Sequence, residues 1–390
     1  MEKLRVVYIA DIGVAGGATK SLLELVCTIR DEQEVIPIVF TARLTEFNKR
    51  LNELSIENYA LGYGAFMQNS PESAWKKPIK WIIRYFEYKS AFFASQSKAL
   101  KCIDWNLIDI VHTNVARIDI GMELCRKTGK LCVCHLREFG ELDFGCWSYR
   151  REYIDYLSNY SNRFLAVSEA VKDYWIKKGI PADRVSVIYN GVRNENIICA
   201  KHESWIDDIV IRIVIVGNFI RNKGQYQAVD AVCSLPIAIR KNVKLDIVGG
   251  VKQSIRKRIQ KAFARAGVEN NIGFVGHSDE VYKLLQRYHV GLMCSKMEAF
   301  GRVTVEYMHA GLAVIATNSG ANPELIENGV DGLLYDGSVT SELAKNITKL
   351  YHDRQLMIRI AENGYKKASA RYTSHLNAAG VRKEYDDLLK

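Results

Sequence analysis

Short apolar runs that suit buried strands alternate along this chain with amphipathic stretches that suit helices. In the first half, strands are predicted at residues 4–10, 34–40, 108–114, 130–136 and 163–167, and helices at 20–30, 44–54, 118–127, 149–160 and 169–178. Such an order is typical of a parallel sheet that is covered by helices on both faces. The alternation therefore predicts an α/β fold.

A second series of the same kind begins after a polar and irregular stretch at residues 193–208. Its strands are predicted at residues 211–217, 244–248, 272–275 and 290–294, and its helices at 225–235, 254–266 and 280–288. A chain of 390 residues is also too long for one ordinary core. We therefore predict two doubly wound, Rossmann-like domains with a cleft between them, each binding ligands at the carboxyl ends of its strands.

The charge and the cysteines restrict the partners and the compartment. A formal net charge of +10 favours anionic partners, which include nucleic acid, an acidic membrane face and phosphorylated small molecules. The nine cysteines form no C-x-x-C pair, so we expect neither disulfides nor a zinc knuckle. The protein is therefore expected to work in the reducing cytosol. Cys132 and Cys134 precede His135, but residues 131–134 indicate a buried strand rather than a metal site. The apolar run that ends at Asp11 is too short to span a membrane, so the protein is expected to be soluble or at most peripheral.

The segment from residue 298 to residue 322 is the strongest indication of a binding site. It places Glu298 in a loop before Phe300 and Gly301, which open a helix that carries Glu306. A carboxylate in such a loop accepts hydrogen bonds from hydroxyls, while the unpaired amides at the helix start donate to oxygens. Together these groups predict a site for a polyol and a phosphate. Two separate, solvated glutamates are the alternative.

Two glycine loops, each between a first strand and a first helix, add phosphate-binding features. Gly16 and Gly17 follow the first strand, where backbone amides can approach a phosphate, although a tight turn alone would also explain them. The second loop, residues 217–224, contains the cations Arg221 and Lys223, which are placed to neutralise a diphosphate leaving group. The first loop has neither the G-x-G-x-x-G nor the G-x-x-x-x-G-K-[ST] pattern.

Taken in order, these motifs resemble those of family 4 glycosyltransferases. The string EAFGRVTVEYMHAGLAVIA is similar to the family's donor-binding E-x7-E region, and GGATKSLLEL resembles its first glycine loop. The second loop resembles the pattern G-R-x-x-x-x-K-G, in which Lys223 and Gly224 match while Asn218 stands at the usual arginine position. Because of that departure, Arg221 becomes the candidate for the second cation. The resemblance runs from residue 4 to about residue 335 and leaves out an insert at residues 63–101.

The resemblance implies a GT-B fold and a retaining transferase that uses a nucleotide sugar. Residues 1–195 would form the acceptor-side domain, residues 205–370 the donor domain, and the last helix, at 373–390, would cross back onto the first. Glu306 would hold the ribose hydroxyls and Glu298 the sugar. The donor-binding positions that the resemblance implies are Gly16, Gly17, Gly217, Asn218, Arg221, Lys223, Gly249, His277, Glu298, Ala299, Phe300, Gly301, Arg302, Val303 and Glu306.

The catalytic candidates that the resemblance implies are His135, Arg221, Lys223 and Glu298. Arg221 and Lys223 would stabilise the diphosphate, and His135, which is predicted to end a strand and face the cleft, would lie near the donor sugar. Arg137 and Glu138 follow it as further candidates. The departing phosphate itself would deprotonate the acceptor hydroxyl, so neither a protein base, a metal nor another cofactor is expected. No D-x-D triplet occurs in the sequence.

Three other functions remain as alternatives. A sugar-nucleotide 2-epimerase shares the architecture and would isomerise the donor without an acceptor. A non-catalytic partner subunit would bind a nucleotide sugar without turnover, but the intact Glu298, Glu306 and Lys223 argue against it. A nucleic-acid-binding protein would suit the positive charge, yet no recognised binding motif is present, so we expect no nucleic-acid partner.

The insert at residues 63–101 mixes aromatic residues with cations and has two interpretations. It either contacts an anionic membrane surface or forms a helix that docks on its own domain with its cations outward. The second basic stretch, residues 252–265, is predicted to be a solvated helix face. We expect a UDP-linked rather than a GDP-linked donor, and a glycan or lipid-linked acceptor in bacterial surface polysaccharide synthesis. The expected location is the cytoplasm or the inner face of the cell membrane.

Overall fold

The structure is a computed structural model, and it describes residues 3–13, 16–69, 77–192, 199, 202–278 and 281–390, leaving aside the side chains of residues 69, 77–80, 144, 203 and 221. The chain divides into two compact units. The first comprises Met1–Gly191 and Ser374–Lys390, and the second comprises Val192–Thr373. Each unit contains a parallel sheet flanked by helices, which confirms the predicted α/β class with two Rossmann-like sheets.

The first unit is built on a seven-stranded parallel sheet. The strands described in this unit are Leu4–Ile9 (β1), Val35–Thr41 (β2), Glu57–Ala60 (β3), Met67–Asn69 (β4), Ile110–Thr113 (β5), Leu131–Leu136 (β6), Cys146–Ser148 (β7), Arg163–Ala166 (β8) and Val185–Val187 (β9). The order in the large sheet is β3-β2-β1-β5-β6-β8-β9, while β4 and β7 pair with each other in antiparallel fashion. Cys132 and Cys134 are fully buried in β6, as predicted.

The helices of the first unit cover its sheet, and the last of them comes from the end of the chain. They are Gly17–Glu32 (α1), Glu46–Glu53 (α2), Lys77–Cys102 (α3), Ile120–Thr128 (α4), Glu141–Phe144 (α5), Tyr153–Tyr160 (α6), Glu169–Lys178 (α7) and Ser374–Leu389 (α16). Helix α16 packs against α1 and contributes Ala378, Val381 and Tyr385 to the core beneath them. The C-terminal helix is therefore part of the first unit.

The second unit has a six-stranded parallel sheet of order β12-β11-β10-β13-β14-β15. Its strands are Ile211–Val216 (β10), Val243–Val248 (β11), Ile272–Gly276 (β12), Val290–Met293 (β13), Ala313–Thr317 (β14) and Leu333–Tyr335 (β15). Its helices are Gln225–Ser234 (α8), Ile237–Arg240 (α9), Gln253–Arg265 (α10), Val281–Leu285 (α11), Arg302–His309 (α12), Asn322–Leu325 (α13), Thr340–His352 (α14) and Arg354–Arg371 (α15).

Each sheet has a point at which the strand order reverses. In the first sheet β1 lies between β2 and β5, and in the second β10 lies between β11 and β13. The loops that leave the two strands at such a point run to opposite faces of the sheet and open a crevice at the carboxyl edge, where ligands of α/β proteins bind. The crevice of the second sheet is bordered by residues 217–224 and 294–301.

Two basic stretches of the sequence form helices of different character. Helix α10 buries only Ile259 and Phe263, so its basic residues form a solvated face, as predicted. Helix α3, from the insert, packs on α4 and buries Tyr88 and Phe92 but leaves Phe86 66% exposed. Among the described residues, no helix combines the length and the apolar character that crossing a membrane requires.

Candidate functional site

Two loops meet at the switch point of the second sheet and bring a predicted cation to a predicted carboxylate. Lys223 lies in the turn before α8, and its Nζ forms an ion pair with Oε1 of Glu298 in the loop before α12. Gly224 has a φ of +68°, and a Cβ at this position would lie 2.0 Å from the carbonyl oxygen of Cys294. Because only glycine allows this approach, Gly224 determines how close the two loops come.

A third loop fixes the backbone at Glu298. Gly320, after β14, has a φ of +58°, and a Cβ there would lie 2.3 Å from the Glu298 carbonyl oxygen. That oxygen also accepts a hydrogen bond from the amide of Ala321 at 2.9 Å. The Glu298 side chain remains 13% exposed. The carboxylate is thus held at the crevice from its backbone as well as by its ion pair with Lys223.

Glu306 lies on helix α12, which begins directly after Gly301. Its side chain is only 9% exposed and accepts a hydrogen bond from Nε of Arg302, one helical turn earlier, at 2.9 Å. The hydroxyl of Tyr282 donates to the same oxygen at 3.4 Å. Arg302 was predicted as a donor-binding residue, but its ion pair with Glu306 was not predicted, although the i, i+4 spacing is a recognisable signal.

The loop after β11 adjoins the loop after β10. Gly249 has a φ of +134°, and a Cβ there would lie 2.4 Å from the carbonyl oxygen of Gly217. The side-chain oxygen of Asn218 accepts a hydrogen bond from the amide of Gly250 at 3.3 Å. Asn218, at the position where the family usually has arginine, therefore braces two neighbouring loops.

The other predicted donor-binding residues lie along the same edge of the second sheet. His277 is exposed directly after β12. Phe300 is buried and packs edge-on against Tyr372, and Ala299 and Val303 flank it in the segment that opens α12. Arg221 lies in the same turn as Lys223, and its side chain is outside the described part of the structure.

Gly16 and Gly17 lie at the start of α1 in the first unit. Gly16 precedes the first helical residue, and its carbonyl oxygen accepts hydrogen bonds from the amides of Thr19 and Lys20, both at 3.1 Å. A Cβ built on either glycine meets no atom within 4 Å among the described residues. The two glycines therefore have no close neighbour among the described residues at the start of this helix.

His135 lies inside the first unit rather than at an exposed strand end. Its side chain is fully buried, with Nδ1 3.1 Å from Nε2 of His112, and His112 in turn contacts the hydroxyl of Tyr385 on α16. Burial, reinforced by the charge of Arg137, lowers the pKa of His112 to about 3 and the pKa of His135 well below its usual value. Both imidazoles are therefore neutral at physiological pH.

The carboxyl edge of the first sheet carries a cluster of charged residues that was not predicted from the sequence. The guanidinium of Arg117 forms three hydrogen bonds to Asp11, from Nε at 3.0 Å and from Nη2 at 2.6 and 2.7 Å, across the switch point between β1 and β5. Arg137 donates from Nε to Asn114 at 2.8 Å. Glu138 is buried beside these groups, and burial raises the pKa of its carboxyl to about 8. The sequence does contain an indication of this cluster, because Asp11, Asn114 and Glu138 each follow the end of a strand.

Two family models match this chain in succession. Glycosyltransferase Family 4 matches residues 16–196, and Glycosyl transferases group 1 matches residues 203–367. The uncharacterized glycosyltransferase MJ1178 of Methanocaldococcus jannaschii is 28% identical over 61% of this chain and 63% of its own length. The capsular polysaccharide biosynthesis glycosyltransferase CapM of Staphylococcus aureus is 23% identical over 58% of this chain and 62% of its own. The chain thus spans less than two thirds of either relative.

Solved structures share the fold over nearly the whole chain. Anabaena Alr3699/HepE, solved in complex with UDP, has a TM-score of 0.78 and 21% identity, covering 98% of this chain and 100% of that one. The lipopolysaccharide outer core galactosyltransferase WaaB has a TM-score of 0.71 and 15% identity, covering 98% and 100%. With both halves of the sequence matched by glycosyltransferase models and the fold shared with these structures, the chain belongs to the family 4 glycosyltransferases and has their GT-B fold.

Proposed function

We propose that this protein is a retaining glycosyltransferase that moves a sugar from a UDP-linked donor to a glycan or lipid-linked acceptor. The observation that carries the proposal is the meeting of Lys223, Glu298 and the start of α12 at the switch point of the second sheet. Among the relatives, CapM is named for capsular polysaccharide biosynthesis, and HepE was solved with UDP. Synthesis of a bacterial surface polysaccharide is the setting that these names favour.

The arrangement suggests how a nucleotide sugar would be held. Glu306 would accept hydrogen bonds from the ribose hydroxyls, and these bonds would replace part of its present contact with Arg302. The carboxylate of Glu298 and the amides at the start of α12 would contact the sugar, and Lys223 would turn to the diphosphate. Since the Lys223 side chain is 36% exposed, this movement would require little rearrangement.

The chemistry would depend on stabilising the leaving group. A cation that faces developing negative charge lowers the barrier of the chemical step more than it strengthens ground-state binding. Lys223 would supply that charge with help from Arg221, and the departing phosphate would take the proton of the acceptor hydroxyl. We propose that neither a protein base nor a metal ion takes part.

The test is a panel of UDP- and GDP-sugars, with free nucleotide as the readout of slow donor hydrolysis. We expect wild type to release UDP, and Lys223→Ala to do so about a hundredfold more slowly. Lys241→Ala is the matched control, because Lys241 is exposed ahead of β11, away from the carboxyl edge. Nucleotide release from no donor, or equal rates in all three proteins, would contradict the proposal.

Two further outcomes identify the rival functions. Isomerisation of the sugar nucleotide in the absence of any acceptor would indicate a 2-epimerase. Calorimetric binding of UDP-sugar with no turnover, even with a range of acceptors, would indicate a non-catalytic partner subunit. No structural observation favours either rival over the transferase.

We also propose that helix α3 contacts an anionic membrane surface when the acceptor is lipid-linked. Besides Phe86, the helix leaves Ile83 53% and Phe93 62% exposed, and the chain has a net charge of +10. Apolar residues would enter the interface, and each nearby cation would add about 1 kcal/mol, less at high salt. Lys76 lies outside the described residues, as do the side chains at positions 77 and 80.

Sedimentation with phosphatidylglycerol vesicles tests this contact. Wild type should pellet at low salt and be released by added salt, while the double variant Phe86→Ser/Phe93→Ser should stay in the supernatant. Leu107→Ser is the control, because Leu107 is 52% exposed outside α3. If wild type does not pellet, or if the double variant pellets equally, α3 is a helix docked on its own unit and a soluble acceptor becomes the better hypothesis.

A further inference from the structure

A pocket on the first unit is lined by five tyrosines that take no part in the proposed donor site. Its volume is about 440 Å³, and it lies between α3 and α6. The tyrosines are contributed by α3, by the segment after β7 and by α6: Tyr85, Tyr88, Tyr149, Tyr156 and Tyr160. The volume falls within the range of about 300 to 1,000 Å³ that is typical of small-molecule sites.

The walls of this tyrosine pocket are held in place by a buried charge. Asp119, at the start of α4, is fully buried and accepts hydrogen bonds from Arg150, at 2.8 Å from Nη2, and from the Tyr88 hydroxyl. The Arg150 guanidinium also lies 4.0 Å from the centre of the Tyr156 ring. Tyr149 stacks on Tyr88 with the ring centres 5.4 Å apart. The aromatic surfaces are therefore fixed before any ligand arrives, which lowers the entropic cost of binding.

The polar groups around the tyrosine pocket select the class of ligand. Lys89 and Arg150 are balanced by Glu152 and Asp155, and Asn159 adds an amide. Since the charges of this lining balance, the pocket does not favour a phosphate or another anion. Donors and acceptors beside flat aromatic faces suit a neutral ligand with many hydroxyls and apolar C–H faces. A saccharide has both properties.

The position of the tyrosine pocket connects it with the acceptor side of the reaction. Asp119 lies in the loop that leaves β5, and β5 borders the switch point of the first sheet. Ligands of open α/β sheets bind at this carboxyl edge. A polymeric acceptor whose end is bound there would have further sugar units beside the edge.

We propose that the tyrosine pocket binds a saccharide unit of the acceptor glycan. This inference rests on the proposed transferase function for its biological role, but the binding itself is independent of the donor site. The ring of Tyr160 and the carboxylate of Asp155 are accessible on α6, so both would contact the sugar directly. Their replacement should weaken binding without removing a buried side chain.

The experiment measures the binding of maltose, cellobiose, lactose and chitobiose, and of their longer homologues, to the full chain by ligand-observed NMR. At about 10 mM, a sugar with a Kd of about 1 mM nearly saturates the site. We expect at least one oligosaccharide to bind, and Tyr160→Ala and Asp155→Asn each to weaken it tenfold or more. Tyr365→Ala is the control, because Tyr365 is a similarly exposed tyrosine in the second unit. Thermal unfolding of each variant checks that it is folded.

The outcomes separate this inference from the proposed function. If no oligosaccharide binds, or if binding is unchanged in both Tyr160→Ala and Asp155→Asn, the tyrosine pocket is not a saccharide site, whether or not UDP-sugars are turned over. If an oligosaccharide binds through these two residues, the inference holds even where no donor is hydrolysed, and only the transferase proposal fails.

Discussion

Replacing Glu306 by glutamine tests the proposed ribose contact most directly. The change keeps the shape of the side chain and removes its charge. A hydrogen bond to a charged group is stronger than one to a neutral group, so we expect UDP binding to weaken by about 1 to 3 kcal/mol. This corresponds to an increase in Kd of roughly 5- to 150-fold.

The same substitution should also destabilise the fold, because Arg302 loses its partner. Both side chains of this ion pair are at most 10% exposed. Breaking a buried pair from one side costs about 3 to 5 kcal/mol, and the lower end applies here because both groups keep some contact with water. A domain with the usual stability of about 5 to 15 kcal/mol should stay folded at 25 °C.

Two measurements on the same protein separate these effects. Calorimetric titration with UDP gives the affinity, and urea unfolding gives the stability. Both are compared with those of the control Glu269→Gln, because Glu269 is exposed and lies ahead of β12, away from the carboxyl edge of the sheet. The double variant Arg302→Met/Glu306→Gln should recover much of the lost stability while UDP binding stays weak. A folded Glu306→Gln protein with wild-type UDP affinity would remove Glu306 from the site and refute the reasoning.

Three further results are expected. Donor hydrolysis should survive EDTA treatment, and its loss together with rescue by a divalent cation would show that a metal takes part. Burial raises the pKa of Glu138 to about 8 from 4.5, so between these values the native chain keeps a proton that the unfolded chain loses; the contribution of this group to stability should be complete below pH 4.5 and be lost as the pH rises to 8. Glu138→Gln should flatten this decline in the free energy of unfolding, by an amount on the order of a few kcal/mol; an equal slope in both proteins would show that Glu138 ionises freely. Gly224→Ala should lower UDP affinity and stability together, because a Cβ cannot fit against Cys294, and unchanged values would mean that the loops separate at little cost.

The alternation of strands and helices predicted most of the fold because each element has a strong local pattern. The basic helix predicted at residues 254–266 is Gln253–Arg265 in the structure. The insert was harder to interpret, because α3 has apolar residues on its exposed side as well as its buried side, which hides the helical period. The strands β4 and β7 were missed for another reason. Each has three residues, and their pairing depends on contacts distant in sequence.

The candidate site shows the same division between local and distant information. Local spacing identified Glu298 and Glu306 as one segment, and Lys223 as a cation in a loop. Their pairing was not predicted, because Lys223 and Glu298 are 75 residues apart and meet only through the order of the strands. His135 shows the converse, since its position at a strand end predicted a side chain that faces the cleft. The structure buries it against His112, and that contact comes from the neighbouring strand.

The strand order explains why charged pairs occur at both switch points. In the first sheet Arg117, from the loop after β5, binds Asp11 after β1, and in the second sheet Lys223, after β10, pairs with Glu298 after β13. At each point the two loops leave the sheet toward opposite faces. In the second sheet a backbone hydrogen bond from the amide of Lys296 to the carbonyl oxygen of Asn222, at 3.1 Å, also joins them. An ion pair joins the loops while leaving polar atoms at the edge, where an apolar contact would leave none. The side chains of the second pair are the more exposed, with 36% for Lys223 and 13% for Glu298, against 18% for Arg117 and 11% for Asp11 in the first pair. A ligand can therefore more readily replace a partner in the second pair. That difference supports the proposed contact between Lys223 and the diphosphate, and it favours a structural role for the Asp11–Arg117 pair in the loops of the first sheet.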